Sequence, residues 1–256
     1  MAREPDLFAA AVEGRLERKA PLAARMRPRT LDEVVGQKHL LGPGKPLRVL
    51  IESDRLSSLI LWGPPGTGKT TIARLIAGAT EKAFETLSAV AAGVKDVREI
   101  AERARNRLGE RGQRTILFLD EVHRFNRAQQ DVLLPHVEEG LLVFVGATTE
   151  NPFFALTGPL LSRSTLFRLE SLENAELLAL VSRALTDVER GLGDEPATIA
   201  DDAAEHLADR CEGDARHLLT VLEVAHALTV CGRSEGPPAE GPSAGSEGSH
   251  ESECGR

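Results

Sequence analysis

Gly63-Pro64-Pro65-Gly66-Thr67-Gly68-Lys69-Thr70-Thr71 has the residue types and spacing to hold a polyphosphate. The run fits G-x-x-x-x-G-K-[ST]. Its glycines let the backbone curl so that successive N–H groups point at one anion. A helix that starts where the loop ends adds the positive end of its dipole to the same anion. Lys69 has the reach for β- and γ-phosphates, and the Thr70 hydroxyl suits Mg²⁺. The expected ligands are ATP and Mg²⁺.

Phosphoryl chemistry also needs a carboxylate for the metal and a base to orient water. Thr115-Ile116-Leu117-Phe118-Leu119-Asp120-Glu121 is an apolar run ending in two acids. Asp120 suits the first role and Glu121 the second. A second apolar run ends in Gly146-Ala147-Thr148-Thr149-Glu150-Asn151, where a polar tip beside the acidic one could hold the attacking water. Thr149 is favoured, with Thr148 and Asn151 as rivals. Arg163, in Leu161-Ser-Arg-Ser164, could enter a neighbouring subunit's site as an arginine finger, a contribution of roughly 10³–10⁵ in rate where such fingers are known. Arg216, in Gly213-Asp-Ala-Arg216, could reach the γ-phosphate from a later helix. The seven histidines form no metal-ligand pair, and His123 and His136 read as helix-surface or hydrogen-bonded residues.

These residues need a scaffold that brings strand ends together. Short apolar runs at 59–62, 84–88, 115–119, 142–147 and 166–169 read as buried strands, with the first feeding the glycine loop. Helical stretches fall at 70–79, 95–108 and 126–138. In the first, Ile72, Leu75, Ile76 and Ala79 share a face; in the second, Glu99 is placed to pair with Arg103 at i+4. Alternation of strand and helix predicts an α/β fold, a five-stranded parallel sheet with flanking helices and the loop-bearing strand central. From 172 to 230 only helical spacing remains, which predicts a small all-helical domain. Residues 231–256 hold no Val, Ile, Leu, Met or Phe and read as a disordered Gly/Ser/Pro/Glu tail. The expected division is a flexible N-terminus at 1–20, a nucleotide-binding domain at 21–171 with 21–58 as its linker, a lid at 172–230 and the tail. Asp6-Leu7-Phe8 is a docking motif or, more simply, part of a frayed end.

Charge narrows the partners. Net charge is −8, so no global basic field advertises a polyanion. Residues 1–49 carry ten Lys/Arg against six Asp/Glu, whereas 172–230 carry four against thirteen. Phosphate-backbone contacts should therefore avoid the later segment and favour the N-terminal connector or the Arg-containing stretch 98–107. Cys211, Cys231 and Cys254 lack metal spacing and read as free thiols in a reducing compartment. No run of 18 apolar residues and no signal-type segment is present, so the expectation is a cytoplasmic protein with no membrane partner.

Several stretches together resemble AAA+ ATPases, and more narrowly the replication-associated recombination protein A family, whose eukaryotic relatives interact with a Werner-type helicase. They are Pro21–Pro28, Gly36–Leu41, Leu61–Thr71, Asp120–Asp131, Leu134–His136 and Gly146–Pro152. The resemblance covers about residues 20–230. It implies an adenine pocket of Arg27, Pro28, Val35 and Gly36, and a phosphate cradle of Gly63, Pro64, Pro65, Gly66, Thr67, Gly68, Lys69, Thr70 and Thr71. It also implies Asp120 with Thr70 on Mg²⁺, Glu121 as base, Thr149 as first sensor, Arg163 as trans-acting finger and Arg216 as second sensor. The family's activity is a DNA-stimulated ATPase at stalled or gapped replication forks. Its members are tetramers, are nucleoid-associated and have single-stranded-DNA-binding protein as a partner. Two departures stand out: Thr165 follows Ser164 where the family often has a basic residue, and the tail from Cys231 replaces a helical tetramerisation domain, as a truncation or frameshift product would.

Other classes remain open at this level. A nucleotide-binding module with little turnover would follow if no neighbour supplied Arg163. A clamp-loader or Holliday-junction-motor subunit would share the sensor and finger motifs. A helicase would explain Asp120-Glu-Val-His123, but the chain lacks a second sheet domain.

Overall fold

The computed structural model describes residues 20–234, with side chains described for 20–230. Five strands form one parallel sheet: β1 (Leu59–Trp62), β2 (Ala83–Ser88), β3 (Thr115–Asp120), β4 (Leu142–Thr148) and β5 (Thr165–Arg168), in the order β2-β3-β4-β1-β5. The fold class is as the alternation predicts. The loop-bearing strand is interior but not central; β4 holds the centre and β1 lies between β4 and the edge strand β5. Spatial order depends on crossover paths, which local patterning does not encode.

β3 and β4 are apolar at almost every position because both faces of the sheet are covered. On one face Leu59, Leu61, Ile116, Phe118, Val143 and Val145 form a core with the helices that precede and follow β1. On the other, Ile60, Leu117, Leu119 and Phe144 pack on the helices that follow β2 and β3. The edge strands β2 and β5 are only partly buried.

The helices are α1 (Leu22–Arg25), α2 (Lys38–Leu41), α3 (Pro46–Glu52), α4 (Lys69–Gly78), α5 (Val94–Arg111), α6 (Arg127–Glu138), α7 (Pro152–Ala155), α8 (Gly158–Ser162), α9 (Asn174–Thr186), α10 (Asp201–Arg210) and α11 (Ala215–Ser234). In α4 the buried face is Ile72, Ala73 and Ile76, rotated from the expected set; Ala79 lies just past the helix. α6 begins with a reciprocal cap: Asn126 Oδ1 accepts from Gln129 N (3.0 Å), and Gln129 Oε1 accepts from Asn126 N (2.9 Å). In α5, Arg103 does not pair with Glu99. It reaches across to Glu85 of β2 (3.0 Å), as does Arg107, while Glu99 meets Lys95 at 3.6 Å.

A third core joins α9 and α11 through Leu177, Leu180, Val181, Leu218 and Leu222. Leu22 and Met26 of the N-terminal connector are buried in that same core. Leu22 N donates to Glu223 Oε1 (2.9 Å), Arg25 Nη1 to Gly191 O (2.7 Å) and Arg183 Nη1 to Glu33 O (3.1 Å). The connector is thus a clasp between the sheet and the helical part. α11 continues through Ser234, four residues into the stretch read as tail; the segments 1–19 and 235–256 lie outside the described residues.

Candidate functional site

Parallel strands deliver their C-terminal ends to one rim of the sheet, and the chemically apt residues fall there. Gly63 follows β1 directly, its N–H donating to Thr148 O of β4 (3.2 Å). Pro64 and Pro65 are exposed, Gly66 and Gly68 have positive φ (69° and 93°), and Gly68 caps α4. Thr67 Oγ1 donates to Pro64 O (2.9 Å) and braces the curl. Lys69 and Thr70 open α4, and Thr71 continues its first turn. Lys69 Nζ donates to Gly63 O (2.8 Å) and Pro64 O (2.7 Å). Its ammonium is largely buried, and that burial pushes its pKa below the usual lysine value.

Thr70 Oγ1 donates to Asp120 Oδ2 at 3.1 Å, so residues 50 apart in the chain form one oxygen pair. Among the described residues no group of three or more His, Cys, Asp or Glu could hold a metal by itself. One hydroxyl and one carboxylate, completed by substrate phosphates and water, is the donor set Mg²⁺ accepts. Thr70 and Asp120 therefore fit that ion.

Glu121 has a left-handed backbone (φ 57°) at the turn that follows β3. Its Oε2 lies 3.2 Å from His123 Nε2, and His123 Nδ1 lies 3.1 Å from Thr148 Oγ1. The His123 side chain is only 4% exposed, so the ring is a fixed strut rather than a surface group. Thr148 Oγ1 also accepts from Glu150 N (3.0 Å). Among the three water-holding candidates, Thr148 is wired to Glu121 through His123, Asn151 caps α7 by accepting from Phe153 N (3.0 Å), and Thr149 is exposed just past β4. His123 was readable only as a hydrogen-bonded residue, because Thr148, its partner, is brought beside it by the sheet alone.

The helical part closes over the loop. Gly66 lies so close to Asp214 that a Cβ on it would stand 2.0 Å from Asp214 Oδ1. Asp214 caps α11 by accepting from Arg216 N (2.8 Å) and His217 N (2.9 Å). Arg216 therefore stands at the loop's mouth. Burial, together with the charges of Arg74 and Arg216, holds the Arg27 pKa below its ordinary value. Among the described residues none of Arg27, Arg74 and Arg216 has a carboxylate partner. Three guanidiniums without a carboxylate partner beside a glycine loop give this corner a positive field that suits an anion. Arg74 had no motif to announce it.

Beside them, Pro28 and Val35 are half-buried, and Gly36 (φ 75°) lies where a Cβ would meet Leu172 Cδ2 at 2.4 Å. Gln37, the next residue, fixes this corner: its Nε2 donates to Glu170 O (2.7 Å) and its Oε1 accepts from Glu170 N (3.1 Å). Arg163 lies apart from this cluster. It pairs with Glu138 Oε1 (2.7 Å) and donates to Pro159 O (2.9 Å) and Ser162 Oγ (3.0 Å). Within one chain it does not meet the loop, as a group acting on a neighbour would not.

The family described as "ATPase family associated with various cellular activities (AAA)" matches residues 59–171. The chain is 50% identical over 205 residues to replication-associated recombination protein A of Haemophilus influenzae, covering 80% of this chain and 46% of that protein. It is 46% identical over 206 residues to the ATPase WRNIP1 of Dictyostelium discoideum, covering 80% of this chain and 23% of that one. Among solved structures, the RuvB Holliday junction branch migration motor of Thermotoga maritima superposes with a TM-score of 0.67 at 31% identity, over 81% of this chain and 68% of that one. The chain thus spans about half the length of the bacterial curated relatives it matches.

Proposed function

Because the chain belongs to the AAA family of ATPases, and within it to the replication-associated recombination protein A family, we propose that it is a DNA-stimulated ATP hydrolase serving fork maintenance or recombination. The observation that supports this most is the meeting of Thr70, Asp120, Glu121 and His123 at the mouth of the glycine loop.

In this reading Gly63–Thr71 cradle the phosphates of ATP and Lys69 leaves its loop carbonyls to take the β- and γ-phosphate oxygens. Thr70 and Asp120 would hold Mg²⁺, whose charge would offset that developing on the phosphates. Glu121 accepts the proton of a water that attacks the γ-phosphorus, the bond to the bridging β–γ oxygen breaks, and ADP and phosphate leave. Thr149 holds that water, while Thr148 and His123 aim Glu121. Arg216 engages the γ-phosphate from the lid, Arg163 does so from a neighbouring subunit, and Arg27, Pro28, Val35 and Gly36 receive the adenine. DNA, single-stranded-DNA-binding protein and further copies of the chain are the proposed partners, and the nucleoid its place of work. No described helix is long and apolar enough to cross a membrane.

The test is steady-state ATP hydrolysis across protein concentrations, with and without gapped or forked DNA. The expected outcome is a rate that DNA raises and that grows faster than linearly with protein, because Arg163 acts between subunits. A flat, DNA-independent rate equal to that of Arg163→Ala would overturn the reading.

A further inference from the structure

Aromatic residues are scarce here, eight Phe and one Trp in 256 residues, yet two adjacent Phe stand in water. Phe153 is 65% and Phe154 90% exposed, side by side on α7. The short helix that carries them is rigidly held. Asn151 caps it, Pro152 starts it, and Gln130 Nε2 donates to Ala155 O (3.1 Å) at its end. It packs against the 3₁₀ turn Val122–Arg124 that follows β3. Arg124 in that turn and Arg127 at the start of α6 are exposed, and among the described residues neither has a carboxylate partner. Val90, in the loop after β2, is 71% exposed at the same rim. Strand order β2-β3-β4 sets these three loops in a row beside the site.

We infer that this rim binds single-stranded nucleic acid, with Phe153 and Phe154 as a base-stacking platform and Arg124 and Arg127 on the backbone phosphates. Every base has a π-face, so exposed rings on a fixed helix suit a partner whose sequence varies. Unpaired guanidiniums beside them supply the counter-charge that stacking alone lacks. Of the two stretches expected to favour phosphate contacts, the N-terminal connector and 98–107, three of the four arginines in the second are engaged: Arg103 and Arg107 are paired with Glu85, and Arg105 with Glu139 (3.5 Å), which leaves Arg98. The rim also offers a physical route for DNA stimulation. Arg124 directly follows His123, the ring that holds Glu121, so a strand bound at Arg124 acts on the turn that aims the base. The inference rests on the DNA-stimulated reading above and gives it a location.

The test uses the full chain and a fluorescein-labelled oligothymidylate of about 20 nucleotides, read by anisotropy. F153A/F154A should weaken binding by about tenfold or more. R124E/R127E should lower the slope of log affinity against log salt by about one to two. F153A/F154A should keep basal ATPase activity, which shows that it folds, and lose its stimulation by the oligonucleotide; for R124E/R127E an unchanged urea-unfolding midpoint shows the fold, and stimulation is lost as well. Wild-type affinity in both variants overturns the rim while leaving the DNA-stimulated reading intact. Loss of self-association by sedimentation with unchanged affinity per chain also overturns it, making the rim a subunit interface. If the wild-type chain itself binds no oligonucleotide, rim and reading fail together.

Discussion

Glu121 stands in a left-handed conformation that costs a non-glycine residue about 1–3 kcal/mol. The compensating contacts run through His123 to Thr148, so the turn after β3 is built to place one carboxylate. This makes His123 a positioning residue with a distinctive kinetic signature. His123→Ala should lower kcat about tenfold or more while the KM for ATP moves less than about twofold. That loss falls short of the roughly 10²–10⁴-fold expected for Glu121→Gln, which removes the proposed base itself. His123→Gln, able to bridge the same two oxygens, should recover part of kcat. A His123→Ala protein whose KM rises with kcat unchanged would assign the ring to nucleotide binding instead. The acid pair, the loop and the threonines were legible because each is a local string with a chemical purpose. The strut was not, since His123 and Thr148 lie 25 residues apart and only the pairing of β3 with β4 unites them.

Among the elements, α5 depends on a side chain that belongs to a strand. Glu85 of β2 is largely buried and takes both Arg103 and Arg107; its hydrogen bond from Arg103 is the main reason its carboxyl titrates below the usual range. Burial opposes that shift but does not cancel it. Glu85→Gln should cost about 1–2 kcal/mol at neutral pH, measured by urea unfolding. With the folded pKa lowered, the ionic contribution is complete above the unfolded value near pH 4.3. It is lost as pH falls through the folded value. The difference between Glu85→Gln and wild type should therefore be constant from about pH 6 to 8 and shrink below about pH 4. A difference independent of pH would mean the glutamate acts by packing. Strands and long helices could be read from the sequence because period and burial coincide: Ile116–Leu119 is apolar on both faces and lies inside the sheet. The Arg103 partner could not, because an i+4 acid lies on the same helix while the structure offers a better-shielded one on β2. The order of strands and the clasp made by Leu22 and Met26 were equally hidden, as both are decided by long-range packing.

At the scale of the whole molecule, the sheet core and the helical core meet at the glycine loop, while Arg163 faces away from it. In the proposed reading Arg216 serves its own chain's phosphate site and Arg163 a neighbour's, a division of charges between cis and trans use that fits the separate places the two residues hold. Arg163 is held by Glu138, Pro159 and Ser162, contacts it would have to release to act on a neighbour's nucleotide as proposed. The pair is half exposed, and such pairs are weak. Glu138 should therefore act as a light latch rather than a lock. Glu138→Gln is expected to lower the protein concentration at half-maximal ATPase rate by about twofold to fivefold, with the plateau rate unchanged. Arg163→Ala should depress that plateau by roughly 10³-fold or more without weakening ATP binding, since the residue is absent from its own chain's phosphate site. Trp62, the single tryptophan, lies directly before Gly63 and provides a fluorescence readout of binding that is independent of turnover. A plateau that falls in Glu138→Gln would show instead that the carboxylate aligns the finger, because a latch that only competes with assembly leaves the assembled enzyme untouched.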